Sequence, residues 1–109
     1  MYIDILKELY IIYDMWQILE HRNVLRSVRK MPIQVLKRYE KWKDIVHLSG
    51  PKGLRLILGF NDEPLRGEWK GHRSSRLGDQ YRVLYKVESK RLLVLVIDLT
   101  AHDYRRKYT

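Results

Sequence analysis

The clearest pattern in the chain is an alternation. Tyr81, Val83, Tyr85 and Val87 are interleaved with Arg82, Leu84, Lys86 and Glu88, the period of two expected of a half-buried strand. The run Leu92–Leu99 is almost wholly apolar and reads as a central strand buried on both faces. Gly78-Asp79 and Ser89-Lys90 are turn sequences. They join these runs to a shorter one at Arg73–Leu77, so the second half of the chain predicts an antiparallel meander.

The first half has helical spacing. Val24, Leu25, Val28 and Met31 fall on one face of a helix from about Asn23 to Met31, with Asn23 as its N-cap. Pro32 restarts the chain as the first residue of a second helix. That helix runs to about Leu48, turns Val35, Leu36, Tyr39, Trp42 and Val46 inward, and ends at Ser49-Gly50-Pro51. Together they form an αα-hairpin. Trp16–Glu20 reads as an edge or first strand. Gly53–Phe60 fits a strand through Leu54, Leu56 and Leu58, but its flanking glycines also allow a helical turn. Asn61–Gly67 reads as a loop. The expected fold is α+β, with the hairpin packed on one face of a small antiparallel, mostly meandering sheet. Residues 1–15 carry an amphipathic stripe of their own and read as an extension ahead of a domain at 16–109.

Composition narrows what such a domain can do. The chain has 109 residues and no cysteine, which excludes disulfides, zinc–cysteine sites and a thiol nucleophile and is consistent with a reducing cytoplasm. No two histidines have ligand spacing, so neither a metal nor another cofactor is expected. The stretch Tyr2–Trp16 is interrupted by Asp4, Lys7, Glu8 and Asp14, so it predicts neither a membrane span nor a signal peptide. The formal net charge is +9. It is uneven: residues 66–109 hold 11 basic and 5 acidic side chains, residues 1–65 hold 11 and 8. A surplus of this kind favours a polyanionic partner.

The basic half also holds groups suited to cutting RNA without a metal. That reaction removes a proton from a ribose 2′-hydroxyl, stabilises an anionic five-coordinate phosphorus and protonates a leaving 5′-oxygen. Guanidinium and ammonium groups can hold the anion, and histidine, tyrosine or lysine can move the protons. Lys70, His72, Arg73, Arg76, Arg82, His102, Tyr104, Arg105, Arg106, Lys107 and Tyr108 lie close together in sequence. Composition alone does not separate a catalytic cluster from a basic patch. A strand arginine is commonly solvated or salt-bridged, a lone histidine is commonly structural, and Tyr81 and Tyr85 are most simply core. His47, near a helix C-terminus, suits the helix dipole.

The order of motifs adds to this. Trp69-Lys70-Gly71-His72-Arg73-Ser74-Ser75-Arg76-Leu77, followed by Gln80-Tyr81-Arg82-Val83-Leu84-Tyr85, resembles the pattern of RelE/ParE-superfamily toxins. Ala101-His102-Asp103-Tyr104-Arg105-Arg106 resembles the HigB-like branch. The match covers roughly Trp16 to Tyr108 and implies a RelE-like microbial ribonuclease fold. It implies that Arg82 contacts the scissile phosphate and that Arg73 and Arg76 serve phosphate and 16S ribosomal RNA. It further implies that His102 is the general acid and that Tyr108 or Tyr104 acts on the 2′-hydroxyl. Lys70, His72, Arg105, Arg106 and Lys107 would then supply RNA binding. Ser75 departs from the RelE pattern, which has a lysine there. The activity implied is metal-independent, ribosome-dependent cleavage of mRNA by the toxin of a type II toxin–antitoxin pair, with a HigA-like helix-turn-helix antitoxin as partner. Two alternatives remain at this stage: a ParE-like gyrase inhibitor without nuclease activity, and a non-catalytic basic RNA- or DNA-binding module.

Overall fold

The computed structural model describes residues 16–101. The amphipathic stripe expected within residues 1–15 lies outside them. The elements are β1 (Gln17–Glu20), α1 (Arg22–Val28), α2 (Ile33–Ser49), β2 (Glu63–Pro64), β3 (His72–Arg76), β4 (Arg82–Glu88) and β5 (Leu93–Thr100), with short 3-10 turns between several of them. The α+β arrangement expected from sequence is the one observed. No helix among the described residues is long and apolar enough to cross a membrane.

The helices follow local chemistry with small departures. The cap of α1 is His21, whose Nδ1 accepts from the Asn23 amide at 3.1 Å. The imidazole nitrogen does the work expected of the Asn23 side chain, so the cap sits two residues earlier and the helix begins at Arg22. Val24 is buried and Val28 packs against the core, whereas Leu25 is 57% exposed. A helix of seven residues has one buried stripe, and Val24 with Val28 (i, i+4) takes it. In α2 the stripe is Val35, Tyr39, Trp42 and Val46, all buried, with Leu36 at its margin. Pro32 is the N-cap, not the first helical residue.

The sheet order is β1-β5-β4-β3-β2. The meander β3-β4-β5 is antiparallel, as expected, but β1 pairs parallel with β5, from Gln17 opposite Leu93 to Glu20 opposite Val96. Gly53–Phe60 resolves into 3-10 turns, and the loop after it holds the two-residue strand β2, which pairs with β3. The expectation that Leu92–Leu99 is buried on both faces fails. Val94, Val96 and Leu99 are buried, but Leu93, Leu95 and Ile97 are only half-buried, because both helices lie on one face. Between Leu84 and Tyr85 the register with β5 shifts, leaving Ile97 as the extra residue of a bulge.

Trp42 centres the layer between α2 and the sheet. Its ring lies 5.8 Å from Tyr39 and 5.2 Å from Tyr85, the second contact edge-on. Each such pair contributes about 0.5–1.5 kcal/mol beyond simple burial.

Candidate functional site

Strand β3 reads His72-Arg73-Ser74-Ser75-Arg76, and pleating sends alternate residues to opposite faces. Trp42 donates from Nε1 to Ser75 Oγ at 2.9 Å, so Ser75 faces the helices. Opposite it in register is Val83, and opposite Arg73 is Tyr85, both in the core. Ser74, Arg76, Arg82 and Leu84 therefore face away from the helices.

The helix-facing side is closed by Asp62. Its carboxylate accepts from Arg73 Nε at 2.9 Å, from Ser75 Oγ at 2.7 Å and from the Tyr85 hydroxyl, and Arg73 Nη2 is also 2.9 Å away. The Asp62 side chain is fully buried, so the pair stands on its additional hydrogen bonds. Burial works against the Arg73 charge, but Asp62 outweighs it and holds the guanidinium above its usual pKa. Burial first, and then Asp62, push the Tyr85 hydroxyl well above the ordinary tyrosine range. Tyr39 is pushed the same way by burial and by its hydrogen bond to Glu20.

Arg82 occupies the other face. It is only 6% exposed. Its Nε and Nη2 both donate to Ser74 Oγ, at 3.1 and 3.0 Å, and Nη2 also donates to the Asn61 carbonyl at 3.3 Å. Asn61 sits in the left-handed region at φ 41°, which turns the chain at the edge of the sheet. The Arg82 guanidinium is thus held in one place. Arg76, directly opposite Arg82 in register, is exposed and folds onto Gly78 O and Asp79 Oδ1. Thr100 of β5 is the other neighbour of Arg82.

The remaining predicted residues divide in space. Lys70 is exposed. His72 stands at the far end of β3, its ring edge-on to Trp69 at 5.3 Å. Arg73 lies across the sheet from Arg82 and is not brought to it. His102, Tyr104, Arg105, Arg106, Lys107 and Tyr108 lie outside the described residues. His47 lies in the last turn of α2 and has a further partner: its Nδ1 is 2.7 Å from the Trp16 carbonyl, and since a carbonyl only accepts, Nδ1 carries the hydrogen. Sequence reasoning overlooked Asp62, whose isolated position in a loop gave no periodic signal. It also treated Ser75 only as a missing lysine. That position points into the Trp42–Asp62 network, where a lysine ammonium would be buried.

No protein-family model and no curated protein matches the chain. Solved structures do. It superposes on the archaeal RelE–RelB complex from Pyrococcus horikoshii OT3 with a TM-score of 0.63 at 23% identity, covering 79% of this chain and 93% of that one. For the YoeB/ParE toxin from Agrobacterium tumefaciens the values are 0.64, 16%, 80% and 99%. For the toxin–antitoxin complex RelBE2 from Mycobacterium tuberculosis they are 0.58, 20%, 79% and 90%. The chain therefore has the fold of the RelE/ParE-superfamily toxins, as the motif order implied. Of the residues carrying the likeness to the HigB-like branch, Ala101 to Arg106, only Ala101 is described.

Proposed function

We propose that the chain is the toxin of a toxin–antitoxin pair and that it cleaves mRNA on the ribosome without a metal. The observation that carries this reading is Arg82, a nearly buried guanidinium fixed by Ser74 and Asn61 on the face away from the helices. Preorganised cations of this kind stabilise anionic transition states because no reorganisation is needed as charge develops. Two of the similar structures are complexes with RelB or described as toxin–antitoxin complexes, which supports an antitoxin as partner; a HigA-like helix-turn-helix protein is the form we infer.

In the reaction, a 2′-hydroxyl proton is taken by Tyr108 or Tyr104, and the 2′-oxygen attacks phosphorus. Arg82, assisted by Arg76, holds the anionic phosphorane. His102 gives a proton to the departing 5′-oxygen, leaving a 2′,3′-cyclic phosphate and a 5′-hydroxyl. Thr100 adjoins Arg82 in register, and His102 follows two residues later in the sequence. Lys70, His72, Arg105, Arg106 and Lys107 attract RNA, including 16S ribosomal RNA, and Arg73 holds the fold through Asp62.

Primer-extension mapping of transcripts after brief induction tests the reading. New 5′ ends within coding regions, formed as translation stops, are expected. Intact transcripts with gyrase-linked DNA breaks would replace this reading with the gyrase inhibitor.

A further inference from the structure

At the end of β3 remote from Arg82 lies a cavity of about 490 Å³ whose lining includes Trp16, Lys52, Arg55, His72, Arg73 and Val87. His72 lies four positions before Arg76 on the strand, so the His72 side of this cavity is roughly 13 Å from the Arg82 row. Its volume is within the range of small-ligand sites.

One wall is an indole held in place. Gly50 has φ +73°, and a Cβ there would fall 2.6 Å from Trp16 Nε1. Glycine thus permits both the turn and the seating of Trp16 against the backbone. His47 anchors the Trp16 carbonyl from α2. The opposite character comes from the 3-10 turn Pro51–Leu56, which presents Lys52 and Arg55. Both are exposed, and neither has a carboxylate partner among the described residues. Among the described residues, no acidic side chain lines the cavity. Arg73 is already matched by Asp62, so the unmatched charge is that of Lys52 and Arg55. His72 adds a ring whose Nδ1 is buried without a hydrogen-bond partner.

An aromatic wall beside two unmatched cations suits a ligand with a flat ring and a phosphate. Inorganic phosphate alone would leave the indole unused, and an uncharged base would leave the cations unused. We infer that the cavity holds one nucleotide unit of single-stranded RNA, its base against Trp16 and its phosphate on Lys52 and Arg55. The inference rests on the reading of RNA as substrate and adds a binding subsite separate from the cleavage face. Stacking of this type is sequence-tolerant because every base has a π-face.

The test uses the full chain and follows the Trp16 indole N–H signal by NMR. It is titrated with adenosine 5′-monophosphate, with adenosine, with inorganic phosphate and with a 2′-O-methyl tetraadenylate that cannot be cleaved. The monophosphate should bind more tightly than adenosine or phosphate. The tetranucleotide should bind more tightly again if the natural ligand is a strand, and no better if it is a free nucleotide, which would overturn the strand assignment. Replacing Lys52 and Arg55 together by alanine should weaken binding of the monophosphate about tenfold or more, as loss of two phosphate contacts requires. Unchanged binding in that variant, or a monophosphate that binds no better than phosphate, overturns the inference. The ribonuclease reading fails separately: nucleotides would bind here while no RNA is cut. Conversely, wild-type RNA affinity and cleavage in the Lys52→Ala/Arg55→Ala protein would leave that reading standing and remove the subsite.

Discussion

The two faces of β3 and β4 use the same residue types for different ends. On the helix-facing side, Arg73 meets a fully buried carboxylate that is shared with Ser75 and Tyr85. On the other side, Arg82 is held by a serine hydroxyl and a backbone carbonyl. The first arrangement spends its charge on an ion pair inside the protein. The second seats a guanidinium against Ser74 Oγ and the Asn61 carbonyl on the face away from the helices. Two arginines of one short hairpin are thus a fold-holding group and a candidate phosphate-binding group, and the difference begins with the face of the sheet on which each lies.

Substitutions can break that contrast. The largest effect is expected at His102, on the cleavage side. His102→Ala should slow single-turnover cleavage on the order of 10²–10⁴-fold, and a substrate with a 5′-thio leaving group should recover most of that loss. A defect equally large on the thio substrate would move the general acid to another residue. Arg82→Ala should cost about 10²–10³-fold in the same step and should persist on the thio substrate. Arg82→Lys should rescue it only in part, because an ammonium lacks the planar fork.

On the helix-facing side the expected loss is of stability. Asp62→Asn should destabilise by about 3 kcal/mol in urea unfolding, since it strands the Arg73 charge and weakens the Tyr85 and Ser75 hydrogen bonds. The cleavage rate per folded molecule should stay near wild type. A large rate loss with normal stability would erase the distinction between the faces.

Tyr85→Phe is milder, at about 1.5–3 kcal/mol for a hydrogen bond to a charged group. It also sharpens a pH signature. Tyr85 and Tyr39 have folded pKa values raised above the ordinary tyrosine value. Their contribution is therefore complete below the unfolded value of about 10 and is lost as pH rises beyond it, because the unfolded chain releases protons that the folded chain keeps. Stability should fall above pH ~10, less steeply in the Tyr85→Phe protein; identical alkaline profiles would contradict the burial described for this hydroxyl. The smallest effect should come from deleting residues 1–15, which we expect to leave cleavage by the folded protein unchanged.

Much of the secondary structure was legible in the chain because its signals are local. The alternation of Tyr81–Glu88, the spacing of Val35, Tyr39, Trp42 and Val46, and the turn at Gly78-Asp79 all report neighbours within a few residues. Arg82 and Arg76 were legible as candidates through the order of motifs around them. Arg73 was grouped with them because a list of basic residues carries no face. Asp62 gave no signal at all, since a single acid in a loop becomes a buried partner only when three side chains from β3 and β4 converge on it.

By itself, then, the sequence determined the helix and strand periods, the antiparallel meander and the concentration of positive charge in residues 66–109. Only the tertiary structure decided the parallel pairing of β1 with β5, the half-exposed outer face of β5, the seating of Trp16 on Gly50 and the separation of Arg73 from Arg82. The physical reason is range. Periodicity and turn chemistry act between residues adjacent along the chain, whereas burial, ion pairing and the enclosure of a cavity depend on groups such as Asp62 and Tyr85, 23 positions apart, that only the packed fold brings together.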